Sequence, residues 1–259
     1  MTKNATSPLA CLSGAHAALT FLTRIPFGRG PIGPAALHWA PAWFPAVGLA
    51  LGYAGWLVFL GLESAGSWVA AASAVAVLAL ITGAFHEDGL ADTADALGGA
   101  WDREKMFAIL KDSRIGSFGA TALTLALLLR IAALAKLGPL AMGGLLLGQT
   151  LSRTTPVWLM AALPYVTPTQ DARSRPLAGV RLPQTIFATG SAALIAALLL
   201  TFGIVAVKPL IVASSLAVVA AAVCGWRFHA RAGGITGDFL GATQQVTDVL
   251  VLVGLAASL

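Results

Sequence analysis

Residues 184–206 read QTIFATGSAALIAALLLTFGIVA, and no side chain in that run carries a charge. A helix that crosses the hydrocarbon core of a bilayer, roughly 30 Å thick, needs about 20 such residues at about 1.5 Å each. Working outward, the stretches 39–62, 67–86, 117–137, 141–163, 209–229 and 239–258 are also long and predominantly apolar, some with a single charge or two inside. The expected fold is therefore all-α: a polytopic helical membrane protein, one integral membrane domain over residues 1–259, with about seven transmembrane helices and short cytoplasmic amphipathic helices. Composition agrees, with 58% hydrophobic and 10% charged residues and a mean hydropathy of +0.83. A soluble domain carries about 25% charged residues.

The net charge of +5 does not point to nucleic acid, because the basic residues sit in short loops between apolar runs rather than in a basic domain. With a cytoplasmic N-terminus, the inner segments hold Lys3, Arg24, Arg29, Arg103, Lys105, Lys111, Arg114, Arg173, Arg175, Arg181, Arg227 and Arg231. The outer loops hold Lys136 and Lys208, while Arg130 and Arg153 fall inside spans. That asymmetry sets the orientation by the positive-inside rule. Cys11 and Cys224 are too few and too distant for a disulfide framework and read as apolar fillers. The stretch from Ala10 to Phe21 is apolar but broken by His16, and it lacks a cleavage site, so an interfacial or short re-entrant helix is expected.

The acidic residues sort to the same side. Glu87, Asp88, Asp92, Asp95, Asp102, Glu104, Asp112, Asp171 and Asp238 are cytoplasmic, Asp248 lies inside a span, and Glu63 lies outside. Two inner segments are long: 87–116, an acidic and basic stretch read as two amphipathic helices and the active-site segment of the domain, and 164–183, rich in Pro and Arg and read as irregular.

Three constellations carry candidate chemistry. In HEDGLADTAD, residues 86–95, Asp88, Asp92 and Asp95 step by four and three and so share one helix face. Like charges at that spacing repel. A hard divalent cation such as Mg²⁺, which takes carboxylate oxygens and keeps water for a phosphate, offsets them. The bland alternative is a solvated acidic helix held by Arg103, Lys105 and Lys111. Glu87 points a quarter-turn away and is a weaker ligand candidate, and His86 reads as an interfacial histidine. The second constellation is KDSRIGSFG, residues 111–119, where small residues with Lys111 and Arg114 open an apolar span. A helix N-terminus of this kind suits a phosphate, with Ser113 and Gly116 as candidate contacts. Its alternative is a charged turn anchoring the helix. The third runs from Gly233 to Asp248, where Asp238, Gly241, Gln245 and Asp248 form one stripe of the last span, and Gly237 and Gly241 leave room for something to approach the backbone. An intramembrane carboxylate is costly and by default functional. Pairing of Asp248 with Arg153 is the structural alternative.

With these motifs on the page, the chain resembles the cobalamin synthase family, the adenosylcobinamide-GDP ribazoletransferases. FLTRIP at 21–26, HEDGLADTAD at 86–95, Arg103 through KDSRIGSFG at 111–119, and TGDFLGA at 236–242 carry the resemblance, in order, over nearly the whole chain. Two stretches depart from it: Pro164 to Arg175 follows the family's pattern loosely, and Asp248 stands where a glutamate is common.

The resemblance implies an integral enzyme of the bacterial cytoplasmic membrane that faces the cytoplasm and requires Mg²⁺. Its partners would be adenosylcobinamide-GDP, α-ribazole or its 5′-phosphate, and the lipid bilayer, with no nucleic acid; oligomeric state has no signal in the sequence. Such displacement at phosphorus needs charge neutralisation more than covalent chemistry. On that basis Asp88, Asp92, Asp95 and Asp238, with Glu87 as the weaker ligand, are expected to hold metal. Lys111 and Arg114 would hold phosphate and steady the departing GMP, and whichever of Asp95 and Asp238 is free of metal would accept the 5′-hydroxyl proton. Two rivals are a CDP-alcohol phosphatidyltransferase-like enzyme, which would need an arginine that Asp88-Gly89-Leu90-Ala91-Asp92 lacks, and a metal or cation transporter.

Overall fold

A computed structural model describes residues 8–26, 32–167 and 179–259. Among them run the helices α1 (Pro8–Leu22), α2 (Pro34–Trp39), α3 (Phe44–Leu62), α4 (Ser67–Thr82), α5 (Phe85–Gly99), α6 (Arg103–Ile109), α7 (Ser117–Leu137), α8 (Ala141–Ala162), α9 (Leu182–Thr201), α10 (Val207–Ala232) and α11 (Gly237–Ala257). Short 3₁₀ turns at Ala40–Trp43, Glu63–Ala65 and Gly138–Leu140 link neighbouring helices. No strand forms among the described residues; a single parallel bridge joins Tyr165 to Ile235.

By length and composition five helical stretches can cross a membrane, or six with the bent pair α4–α5 taken as one. One of the five, Ser117–Ala162, joins α7 to α8 over 46 residues, about 69 Å of helix and over twice a bilayer core. Gly138 breaks it at φ 50, ahead of Pro139, so α7 and α8 are separate spans. Counted this way, the expectation of about seven stands as an approximate number. The chain is an integral membrane protein, and the exposed Leu194, Ile211, Val218 and Val223 on α9 and α10 are what a lipid-facing surface requires.

One boundary differs from expectation. The stretch 67–86 does not run on as a single span, because Gly83 (φ 70) and Ala84 (φ 54) both turn left-handed and α5 departs at 91°. For an alanine that conformation costs about 1 kcal/mol or more. Arg24 covers the corner, its side chain packed on Gly83 and its backbone N–H donating to the Ile81 carbonyl at 2.7 Å. We therefore read α4 as the spanning half, with α5 outside the spanning segments. The segment 87–116 contains the two short helices expected, most of α5 and all of α6.

The N-terminal helix α1 has 15 residues, about 22 Å, which is short of a span. It packs on α2 and the turn after it, where the Trp43 indole donates to the Cys11 carbonyl at 2.8 Å. Cys11 and Cys224 are free thiols.

At the centre lie α8 and α11, the two helices richest in buried polar residues. Gly48 and Gly52 of α3 press against the α8 backbone at Gln149 and Leu145, where any Cβ would collide. Small residues allow such approach where helices pack in lipid. The start of the 164–183 segment is tied to the turn before α11, with Val166 N–H donating to Ile235 O and Ile235 N–H to Pro164 O, both at 2.9 Å. Lys3, Arg29, Asp171, Arg173 and Arg175 lie outside the described residues, as does the rest of the Pro164–Arg175 departure from residue 168 on.

Candidate active site

The site is built where α5 crosses the start of α11. Gly89 meets the Asp238 backbone and Gly241 so closely that a Cβ on it would come within 2.9 Å of the Asp238 carbonyl. Gly241 in turn faces His86 and Gly89. The approach that Gly241 was expected to allow is thus made by a second helix. Its consequence is to set Asp238 beside the acidic face of α5.

The four carboxylates expected there meet different environments. Asp88 is exposed, Asp92 and Asp238 are half-buried, and Asp95 is buried. Burial first, then the charges of Asp88, Asp238 and Asp95, pushes the Asp92 pKa up to about 7. No ion pair among the described residues joins Asp88, Asp92 or Asp95 to Arg103, Lys105 or Lys111. Arg103 instead stacks over Phe107, and Asp102 caps α6 by accepting from the Lys105 amide at 2.7 Å. The solvated-helix alternative therefore lacks the bridges it needs.

Asp95 turns toward α7. One of its oxygens accepts from the Gly116 amide at 2.7 Å and the other from the Gly119 amide at 2.9 Å. A Cβ on either glycine would strike that carboxylate, which explains both glycines of the 111–119 motif. The helix N-terminus read as a phosphate site thus receives the chain's own carboxylate, and Gly116 serves to seat Asp95. A cleft of about 430 Å³ remains beside it, lined by Asp95, Asp112, Arg114, Gly116, Ser117 and Phe118. Arg114 projects there from the surface, bonded through Nε and NH2 to Asp112 at 2.9 and 2.6 Å. Those bonds, with the Arg114 amide, hold the Asp112 pKa down to about 2. Lys111 and Ser113 are exposed close by in the sequence. Gly237 opens α11 directly before Asp238, with Thr236 capping that helix by accepting from the Phe239 amide at 3.2 Å.

On the inner side lies a network that the sequence reading missed. Arg130, 2% exposed in the middle of α7, donates through NH1 to Glu87 Oε1 on α5 and to Gln245 Oε1 on α11, each at 3.1 Å. Its Nε stands 3.0 Å from Asp248 Oδ2, an ion pair by distance without the angle of a hydrogen bond. The Gln149 amide donates to the same Asp248 oxygen at 2.9 Å, and Arg153 donates to Gln149 Oε1 at 2.6 Å. The expected Asp248–Arg153 pairing is therefore indirect: Arg130 is the direct partner, and Gln149 relays Arg153. Glu87, the weaker ligand candidate, is committed to Arg130. The available signal was a pair of arginines inside apolar runs.

No three His, Cys, Asp or Glu side chains among the described residues stand as a ready metal cluster, Asp88, Asp92 and Asp238 included, and Asp95 and Glu87 are turned to the start of α7 and to Arg130. The charges of Asp88 and Asp238 nonetheless act on Asp92. That donor set fits a hard divalent cation brought together with a phosphate ligand, since such ions take one or two carboxylates and keep other positions for water and substrate oxygens.

A family model described as cobalamin-5-phosphate synthase matches residues 14–256. The adenosylcobinamide-GDP ribazoletransferase of Polaromonas sp. (strain JS666) is 40% identical over 278 residues, covering 93% of this chain and 95% of the relative. Its namesake in Shewanella amazonensis is 38% identical, covering 90% and 91%, and that of Rhizobium meliloti is 44% identical, covering 77% and 78%. No solved structure matches the chain significantly.

Proposed function

The chain belongs to the cobalamin-5-phosphate synthase family, and on that premise we propose that it is an adenosylcobinamide-GDP ribazoletransferase, a membrane transferase of cobalamin biosynthesis. Its reaction joins the adenosylcobinamide phosphate of adenosylcobinamide-GDP to a ribose hydroxyl of α-ribazole or of α-ribazole 5′-phosphate. Because the second of these has its 5′-oxygen already esterified, the attacking hydroxyl is another one on the ring. A new P–O bond forms, the bond to GMP breaks, and the products are adenosylcobalamin or its phosphate, and GMP. The supporting observation is the α5–α11 crossing at Gly89 and Gly241, which brings Asp238 to the acidic face of α5, where it and Asp88 act on Asp92 with no ion pair to a Lys or Arg among the described residues.

Asp88, Asp92 and Asp238 hold Mg²⁺ in this reading. When bound, it supplies charge neutralisation on the diphosphate. Lys111 and Arg114, beside the cleft with Ser113, hold phosphate oxygens and steady the departing GMP. Where Asp238 is left free of metal, it accepts the proton of the attacking ribose hydroxyl in preference to Asp95, both of whose oxygens are already engaged by the Gly116 and Gly119 amides. Asp95 instead fixes α5 against α7. The inner-membrane location and a site open to the cytoplasm rest on the distribution of Lys and Arg among the loops. A carrier reading is less supported, because Glu87, Arg130, Asp248 and Arg153 neutralise one another through direct contacts and Gln149.

The test is incubation of the purified protein with adenosylcobinamide-GDP, α-ribazole and Mg²⁺. Cobalamin and GMP in equal amounts are expected. Absence of both from folded protein contradicts the assignment.

A further inference from the structure

We propose that Arg130 is a positioning residue for the carboxylate site: from inside the membrane it fixes the register of α5 against α11, and so the separation of Asp88 and Asp92 from Asp238. The inference rests on the metal-site reading above.

Helix α5 is fastened to α7 at two points. Near its C-terminal end, Asp95 is seated on the Gly116 and Gly119 amides at 2.7 and 2.9 Å. Near its start, Glu87 is held by Arg130 at 3.1 Å. The fastened residues are eight apart on α5, about 12 Å, and Gly119 and Arg130 are eleven apart on α7, about 16 Å. The reach of an arginine side chain absorbs the difference. The two points lie near opposite ends of the helix, so α5 is prevented from sliding and from pivoting.

The same guanidinium grips α11. Gln245 Oε1 accepts from NH1 at 3.1 Å, and Asp248 Oδ2 lies 3.0 Å from Nε. Gln245 and Asp248 stand seven and ten residues beyond Asp238 on one helix. A shift of α11 is therefore passed directly to Asp238. Arg130 thus bonds to both carboxylate-bearing helices at once. Its planar fork makes this possible, since five N–H donors in fixed directions can serve Glu87, Gln245 and Asp248 together.

The buried position adds the selectivity of the device. Glu87 and Asp248 are 6% and 0% exposed, so their charges have no water to turn to if the arginine moves. A network of this kind has one good arrangement, and α5 and α11 are held in it. At their meeting point Gly89 and Gly241 let the two backbones touch, which limits how closely the helices approach. How far one slides or rotates along the other is held by the network behind them.

Mn²⁺, which takes oxygen ligands much as Mg²⁺ does and is visible by electron paramagnetic resonance, is the probe. Its dissociation constant is measured on purified full-length protein in detergent, for the wild type, Arg130→Lys and Arg130→Gln, with thermal unfolding recorded alongside. Lysine keeps the charge, and with it the fold, but a single ammonium cannot serve both helices with the arginine's geometry. Arg130→Lys is expected to weaken Mn²⁺ binding several-fold and Arg130→Gln about tenfold or more, in the range for residues that orient metal ligands. In the GMP-release assay, added Mg²⁺ should restore part of the turnover of Arg130→Lys. Wild-type Mn²⁺ affinity in folded Arg130→Lys, within about twofold, overturns the proposal while leaving the metal reading intact. A wild-type protein that binds no Mn²⁺ overturns the metal reading, and the positioning role falls with it.

Discussion

The two sides of the α5–α11 crossing use the same residue types in opposite ways. On the inner side, Glu87 and Asp248 are buried and each meets Arg130, with Gln149 and Gln245 completing the contacts. On the outer side, toward the cytoplasm, Asp88, Asp92 and Asp238 lie near enough for their charges to interact, no cationic side chain among the described residues is paired with them, and Asp92 is driven up to about pKa 7. The difference separates structural charge from functional charge. A buried carboxylate held by a buried arginine specifies how helices dock; a carboxylate crowded by its own kind is poised to take up a cation.

Breaking the inner side should give the largest effect. Asp248→Ala leaves excess positive charge inside the membrane and strips a partner from Gln149, which should lower stability by about 3–5 kcal/mol. Denaturant or thermal unfolding in detergent measures it, and an unchanged midpoint would mean the network contributes nothing. Gly119→Ala probes the seat between the two sides. Its methyl group strikes Asp95 and the Ala91 carbonyl, so a loss of about 1–3 kcal/mol with reduced turnover is expected.

A smaller effect comes from pH. The folded-state pKa of Asp92 is raised to about 7 from 3.8, so the metal-free fold binds a proton that the unfolded chain has released. Its contribution to stability is therefore lost as pH rises from about 4 to about 7. Mg²⁺ competes for the same carboxylate, so its stabilisation of the protein should strengthen between about pH 6 and about pH 8. Mg²⁺ titrations of the unfolding temperature at the two pH values check this, and equal apparent affinities would remove Asp92 from the metal set. The smallest effect on the fold belongs to Asp112→Asn, which loosens an exposed pair with Arg114. Stability should stay the same while the KM for adenosylcobinamide-GDP changes more than that for α-ribazole. Equal changes would argue against a phosphate role for Arg114.

Much of the fold was legible because apolar runs of span length have few alternatives. The 117–137 stretch coincides with α7, and 141–163 and 239–258 miss α8 and α11 by at most two residues. The corner after Thr82 was not legible, since nothing about Ala84 announces a left-handed residue. Within the site, the spacing of Asp88, Asp92 and Asp95 identified a shared face, but not that Asp95 turns away from it. That turn depends on two α7 amides more than twenty residues along the chain. Glycine frequency showed that something approaches Gly241 without showing that it is α5. The arginines inside the spans were visible, yet choosing Arg130 over Arg153 for Asp248 requires knowing how α7, α8 and α11 face one another.

The central claim is that the unpaired carboxylates on the outer side are the reactive ones. Its most direct test is GMP release by Asp92→Asn, assayed with adenosylcobinamide-GDP, α-ribazole and Mg²⁺. The account predicts a fall of about a hundredfold or more, of the size seen when one charge-stabilising group is lost from an active site, with an unfolding midpoint no lower than that of the wild type. Near-normal turnover by Asp92→Asn would contradict it.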